Sequence, residues 1–316
     1  MKLSDLPLFS IVGISGKEKT RFTRWLLSSL KANNLETLVI NEPAWPALMA
    51  RPQQTSLLLG ADVVLVTGKS DFDLQEIRVN CHPEKKGALC CSGVDPESRK
   101  AFLAEFLRHL DNLVYRIPLW ACILIGGKSS RMGSPKHLLR GPDGKSWLER
   151  TVETLRPFVS DIIISGAGEV PRSLSTLRRL PDAPGMAGPL AGILSVTRWQ
   201  PMVSWILVAC DMPDIQGRAL EWLAGQRGAG RWGIVPRLSE DGFLEPLLAC
   251  YDMRAATVFE ELRARNIMKI SRVGVHPKIY NPVIPGELGG SWQNINTPDQ
   301  LGEYENKDQT GPVPDL

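Results

Sequence analysis

The sequence predicts two consecutive α/β units, each a three-layer arrangement with a parallel sheet between helices. Three observations carry this. Short apolar runs alternate with amphipathic stretches of helical period, the pattern of βαβ units. A strand running into a glycine loop occurs twice, near residue 13 and again near residue 126. A chain of 316 residues with 43% hydrophobic content is also long enough for two cores.

In the first unit, residues 8–13 (LFSIVG) read as a strand. A helix of about four turns follows and ends at Ala32. Strands are expected next at Thr37–Ile40 and Asp62–Val66. Asp95-Pro96 has the chemistry of a helix start: the carboxylate accepts from otherwise orphaned amides, and proline has no amide to leave unpaired. The helix it opens carries Phe102, Phe106, Leu110 and Leu113 on one side and runs to about Tyr115. A new strand starts at Leu119 and stops at Gly126-Gly127, so a boundary falls near Arg116–Pro118. Residues 1–116 then form one domain and 117–305 a second, with 306–316 as a frayed polar tail. In the second unit, strands are expected at 119–125, 161–165, 204–210, 231–236 and 245–251, and helices near 146–156, 188–198, 217–224 and 254–265. Sheets of this kind bind ligands at the carboxyl ends of their strands.

Composition narrows the function classes. A formal net charge of +3 with 22% charged residues gives no polyanion-binding surface, so no nucleic-acid partner is expected. No apolar run has membrane-spanning length, and MKLSDLPLFS lacks the cationic start and long apolar core of a secretion signal, which points to the cytoplasm. Cys122, Cys210 and Cys250 fall inside apolar strand-like runs and read as buried free thiols. Cys81, His82, Cys90 and Cys91 are spaced too loosely for paired metal ligands, and their segment reads as a mobile loop.

The segment LIGGKSSRMGSPKHLL begins where a buried strand stops. Gly126 and Gly127 permit positive φ and close backbone approach. Amides exposed at such a turn attract phosphate oxygens. Ser129 and Ser130 add hydroxyl donors, Arg131 a planar fork and Lys136 a point charge, together a cationic cradle for a triphosphate. The loop resembles the signature of the pyrophosphorylase-like nucleotidyltransferases that handle molybdopterin, with Gly126, Gly127, Ser129, Arg131, Met132, Gly133 and Lys136 in place. Pro135 departs from the aspartate common in the guanylyltransferases of this group, and x-Pro-Lys also occurs in cytidylyltransferase relatives.

Further segments follow in the family's order between about 119 and 305. The run PDAPGMAGPLAGIL resembles the guanylyltransferases' GPLAGI element at Gly188–Ile193. That resemblance implies that Asp182 accepts hydrogen bonds from the guanine edge, whose adjacent N–H donors suit a carboxylate. WILVACDMP ends an apolar strand in Asp211, placed to hold Mg²⁺ together with phosphate oxygens. EPLLACYD at Glu245–Asp252 resembles the family's element near the acceptor. QNINTPDQL resembles its Asn-x-Asn-Thr-Pro signature, which brings Asn294 and Asn296 to the acceptor and opens the last helix at Thr297-Pro298.

The resemblance therefore implies a molybdenum-cofactor guanylyltransferase with a Rossmann-like nucleotidyltransferase fold. GTP and molybdopterin, with or without molybdenum, are the implied substrates, Mg²⁺ is the implied cofactor, and molybdoenzymes or their chaperones are implied partners. Arg131, Lys136 and Asp211 would be catalytic, with Leu124, Gly126, Gly127, Ser129, Asp182 and Gly188 binding nucleotide alongside Lys136 and Asp211. Arg198, Arg237, Lys269 and Lys278 are cationic candidates for the acceptor phosphate. Use of CTP instead of GTP, and a carrier without catalytic activity, are the rival readings. Asn296, GPLAGI and LIGG favour GTP.

The first unit carries IVGISGKEKTRF between strand and helix. Gly13 opens a Walker A pattern and Lys19-Thr20 close it, but Glu18 stands where glycine would let the backbone wrap phosphates, and its carboxylate repels an anion. The segment resembles the MobB-like GTP-binding adaptor found beside or fused to the guanylyltransferase. GADVVLVTGKSDFDLQEIRV supports this, although Thr67, Gly68 and Lys69 replace that family's Glu-Gly-Phe. Residues 1–116 then read as a degenerate P-loop-like adaptor used for docking or dimerisation, which allows a homo-oligomer.

Overall fold

A computed structural model describes residues 6–41, 60–67, 74–80, 89–126, 135–141 and 143–309, and the backbone alone beyond residue 304. The contacts divide the chain into two compact units, Met1–Ile117 with Arg227–Arg231, and Pro118–Gln226 with Trp232–Leu316.

The first unit holds strands β1 (Leu8–Val12), β2 (Thr37–Asn41), β3 (Val63–Thr67), β4 (Gln75–Val79) and β5 (Leu89–Cys91). They form a five-stranded sheet in the order β2-β3-β1-β4-β5, with every pairing parallel. Strands β4 and β5 were not expected. QEIRV interleaves Glu76 and Arg78 with its apolar residues and LCC is only three residues long, so neither has the continuous apolar run that marks a buried strand. Cys90 and Cys91 thus lie in a strand, which corrects the loop reading for them, while Cys81 and His82 lie outside the described residues. Cys90 is disulfide-bonded, whereas Cys91, Cys122, Cys210 and Cys250 are free.

Helices α1 (Gly16–Ala32) and α2 (Pro96–Arg116) bury one face each. Phe22, Leu26 and Leu30 of α1 and Phe102, Phe106, Leu110 and Leu113 of α2 pack with Phe9, Ile11, Val63, Leu65, Ile77 and Val79 of the sheet. Each such side chain stabilises by about 1.5–3 kcal/mol. Helix α2 starts as its sequence demands: the Asp95 carboxylate accepts from the Ser98 amide at 2.9 Å, and Pro96 is the first helical residue. Its last carbonyls are satisfied by an arginine, since Arg227 donates to the carbonyls of Val114 at 2.7 Å and Ile117 at 3.1 Å. Residues 227–231 belong to the first unit spatially, which no contiguous division of the sequence anticipates.

The second unit is a seven-stranded sheet with helices on both faces. Its strands are β6 (Leu119–Leu124), β7 (Ile162–Ser165), β8 (Arg178–Leu180), β9 (Ser204–Ala209), β10 (Gly233–Ile234), β11 (Ala249–Tyr251) and β12 (Ile279–Tyr280). Their order is β12-β10-β11-β9-β6-β7-β8. Strand β11 runs antiparallel to both neighbours, and the remaining pairings are parallel. Successive residues of a strand point to opposite faces, and the core divides accordingly. Ala121, Ile123, Ile162, Ile164, Ile206 and Val208 meet helices α3 (Trp147–Leu155) and α5 (Gly217–Gly225). Cys122, Ile163, Trp205, Leu207 and Tyr251 meet α4 (Pro189–Trp199) and α6 (Ala255–Ala264). Helix α7 (Pro298–Gln309) ends the described chain and extends past the start of the expected tail.

Two expected strands shorten. The run at 231–236 pairs only over Gly233–Ile234, because Pro236 has no amide for a ladder. The run at 245–251 pairs only from Ala249, because Pro246 again lacks a donor and Leu248 takes φ +52°.

Candidate active site

The parallel strands β6, β7, β8 and β9 release their chains at one edge of the sheet, and β11, running the other way, begins there. The loops at this edge enclose a cavity of about 820 Å³, within the range typical of small-molecule sites.

At the centre, β6 ends with Leu124, and Gly126 two residues on takes φ +105°. Gly127, Ser129 and Arg131, together with Met132 and Gly133, lie outside the described residues. The chain resumes at Pro135, which caps a 3₁₀ turn at Lys136–Leu138. The ammonium of Lys136 donates to the Asp211 carboxylate at 3.1 Å and to the Asn296 side-chain oxygen at 2.7 Å. The Lys136 and Asp211 side chains retain 15% and 21% of their exposure, so the pair is largely withdrawn from solvent yet still faces the cavity. Asp211 follows β9, and its backbone carbonyl accepts from the Ile295 amide at 3.0 Å, which fixes the strand end against the Asn294–Asn296 segment. A Thr297–Gln300 cap holds that segment from the other side: Gln300 accepts from the Asn296 amide at 2.7 Å, and Thr297 accepts from the Gln300 amide at 3.3 Å.

Past the ends of β6 and β7 the cavity is lined by Gly192, Ser165 and Asp182. Gly192 of α4 faces this wall, and a methyl there would stand 2.7 Å from Leu124 and 3.0 Å from the Ser165 hydroxyl. Gly166 takes φ +115°, where a Cβ would stand 1.9 Å from the Ile125 carbonyl, so only glycine fits. Asp182 follows β8, and partial burial raises its carboxyl above the usual range. Gly188 takes φ +80° and caps α4, with Pro189 as its first residue. Leu124, Gly126, Lys136, Asp182, Gly188 and Asp211 all line the cavity, as do Asn294 and Asn296. Arg198 and Lys269 do not, and neither do Arg237 and Lys278; Arg198 instead pairs with Glu260 at 2.6 Å.

One lining residue carried no usable sequence signal, and a second was reached only through its motif. His137 is buried beside Lys136, and its Nε2 hydrogen-bonds the Glu169 carbonyl at 2.8 Å, so Nε2 carries the proton. Burial, and secondarily Arg179, lowers its pKa. A Cβ on Gly168 would stand 3.2 Å from the imidazole, so glycine and histidine share this space. Glu245, read earlier only as part of a motif, projects into the cavity from the approach to β11. Cys210 also lines the cavity, its thiol pushed up to about 12 by burial and then by Asp211, which leaves it no role as a nucleophile.

A mixed α/β sheet that gathers a lysine, an aspartate and an asparagine at its carboxyl edge, beside a glycine-rich strand end, defines a nucleotidyltransferase. Residues 121–276 match the family described as the MobA-like NTP transferase domain. A molybdenum cofactor guanylyltransferase of Rhizobium meliloti is 34% identical over 199 residues, covering 58% of this chain and 89% of that protein. The chain belongs to the molybdenum cofactor guanylyltransferases. A molybdenum cofactor biosynthesis bifunctional protein of Synechocystis is 27% identical over 192 residues; the match covers 60% of this chain and 54% of that protein. Among solved structures, molybdopterin-guanine dinucleotide biosynthesis protein A of Archaeoglobus fulgidus aligns with TM-score 0.50 and 29% identity, over 60% of this chain and 98% of its own. No helix among the described residues is long and apolar enough to cross a membrane.

Proposed function

We propose that this chain transfers GMP from GTP to the phosphate of molybdopterin, with or without bound molybdenum, and releases pyrophosphate. The observation that carries the reading is the convergence of Lys136, Asp211 and Asn296 in a cavity whose far wall presents Asp182. Asp182 meets the two adjacent N–H donors of guanine as a double acceptor. The Lys136 ammonium has three donors; two are engaged by Asp211 and Asn296, and the third is available to a phosphate oxygen. A terminal phosphate oxygen of the acceptor attacks the α-phosphorus of GTP in line. The bond from that phosphorus to the bridging oxygen of pyrophosphate breaks, and pyrophosphate leaves with the electron pair. Lys136 counters the charge at the α-phosphate, and Arg131 is assigned to the leaving group. The residues position and neutralise; no covalent intermediate is required.

Mg²⁺ fits this donor set. Such an ion prefers one or two protein carboxylates plus substrate phosphates, and Asp211 supplies one carboxylate in the cavity. The oxygens of Asp211 and Asn296 already converge on one cationic group, the Lys136 ammonium. Asp211 would hold the ion, which when bound would neutralise the polyphosphate.

Residues 1–116 are read as a degenerate MobB-like adaptor that docks or dimerises, alongside cytoplasmic molybdoenzymes or their chaperones as recipients. The all-parallel five-stranded sheet with a strand–glycine–helix opening supports that reading. Calorimetric titration with GTP and with CTP, each with Mg²⁺, tests the reaction assignment. GTP binding that is lost in Arg131→Ala is expected; a preference for CTP, or binding of neither nucleotide, would overturn it.

A further inference from the structure

Two carboxylates in the cavity stand apart from the Lys136–Asp211–Asn296 cluster. Neither Asp182 nor Glu245 makes a side-chain hydrogen bond or ion pair among the described residues, and burial raises both above the usual carboxyl range. The strand order separates them. Asp182 follows β8, at one edge of the sheet, while Glu245 precedes β11, on the opposite side of β9. Asp211, which follows the central strand β9, lies between these two positions in the sheet order and holds Lys136 beside it at 3.1 Å. Along the sheet edge the cavity thus reads carboxylate, cationic centre, carboxylate.

Glu245 is held in place by its backbone. Its amide donates to the Pro236 carbonyl at 2.8 Å. Three residues on, Leu248 is fully buried at φ +52°, a conformation unfavourable for leucine. It persists because both of its polar backbone groups are engaged, the amide with Leu207 at 2.7 Å and the carbonyl with the indole of Trp292 at 3.0 Å. That strained turn takes the chain out of the cavity wall and into β11.

A partly desolvated carboxylate without a counter-cation repels phosphate. The part of an acceptor that suits Glu245 is therefore its heterocycle. A 2-amino-4-oxo pyrimidine ring, present in pterins as in guanine, offers an amide N–H beside an amino N–H. Building on the proposed reaction, we propose that Glu245 is the acceptor-side counterpart of Asp182 and that its carboxylate accepts both N–H hydrogen bonds of the acceptor's 2-amino-4-oxo edge. The two heterocycles then sit at opposite ends of the cavity, each read by one carboxylate, with their phosphates directed to Lys136 between them.

The test is steady-state kinetics of the full chain with GTP, Mg²⁺ and molybdopterin, comparing wild type with Glu245→Gln and Glu245→Ala. The glutamine variant keeps the shape but turns one acceptor into a donor facing N–H. Both variants should raise KM for molybdopterin at least tenfold while kcat and the Kd for GTP stay within twofold; the GTP Kd also verifies the fold. An unchanged molybdopterin KM overturns the assignment. So does a GTP Kd that weakens in step, which would put Glu245 at the nucleotide, or a raised Mg²⁺ requirement at unchanged molybdopterin KM, which would make it a metal ligand. Wild-type chain that fails to turn over molybdopterin overturns the underlying reaction together with this assignment, whereas active wild type with unaffected variants overturns this assignment alone.

Discussion

Each unit carries a glycine with positive φ just past a central strand, yet only in the second do the described residues beyond it bring a lysine, an aspartate and an asparagine together in a cavity. In the first unit Gly13 takes φ +89°, and a Cβ there would stand 2.3 Å from the Val79 carbonyl. The helix that follows starts at Ser15 without a side-chain cap, places Glu18 in its first turn, and uses the Thr20 hydroxyl on the Gly16 carbonyl at 3.2 Å. In the second unit the strand end leads to Lys136, aimed at Asp211 and Asn296 across the cavity. Glycine at a strand end therefore reports backbone crowding, which both folds share. The ligand is reported by the charged groups that converge on the turn.

The sharpest way to break this contrast is Asp211→Ala. Turnover should fall by at least about 10²–10³-fold, the scale of losing one electrostatic group at a reacting centre. The circular-dichroism melt should be unchanged, because Asp211 faces the cavity and not the core. Turnover near wild type would remove Asp211 from the chemistry and with it the distinction between the two turns.

The glycines themselves come next. Gly13→Ala should destabilise the protein by about 3 kcal/mol or more, combining a left-handed backbone with a clash against Val79 that neither backbone can relieve cheaply. Chemical denaturation measures this. A small change would mean that the first turn is loose, and Gly13 would then be available for a ligand after all.

Most of the second unit was legible in the sequence because its strands are buried on both faces and read as unbroken apolar runs: Leu119–Leu124, Ile162–Ser165 and Ser204–Ala209. Strand β8 was not, since Arg178 and Arg179 are exposed on a short edge strand. The apolar moment of a helix is equally plain, and α2 emerged within a residue of its expected limits. Asp182, Asp211 and Asn296 were found through motifs, and each lines the cavity. His137 was invisible because its role comes from a contact with Glu169 and Gly168, about thirty residues away and on another strand end. That Glu245 makes no side-chain hydrogen bond or ion pair among the described residues follows from tertiary packing, and no spacing rule encodes that.

Asp182 sharpens the comparison from the nucleotide side. It must be ionised to accept both guanine N–H groups, and burial raises its pKa. GTP affinity should therefore weaken on acidification with a midpoint above about 4, the ordinary carboxyl value. The sign for stability is opposite: a carboxyl raised in the folded state favours folding most at low pH and loses that contribution as pH rises through the folded value. Asp182→Asn should cost about tenfold or more in GTP affinity, the worth of a charge-assisted hydrogen bond, and should flatten the acid limb of the titration.

The smallest expected effect is also the most direct test of the first turn. Lys19 closes the Walker-like pattern, but Glu18 beside it supplies the opposite charge; in this first turn Glu18 is exposed and Lys19 half-buried. A half-buried surface lysine is worth about 0.5 kcal/mol to stability, roughly a factor of two in an equilibrium. Lys19→Ala should accordingly leave kcat, the KM for GTP and the unfolding midpoint within about twofold or a degree or two of wild type. If GTP affinity or turnover instead dropped tenfold, the first turn would hold a phosphate despite Glu18. The contrast between the units would then be one of degree: two nucleotide sites in one chain, with the lysine able to serve in both.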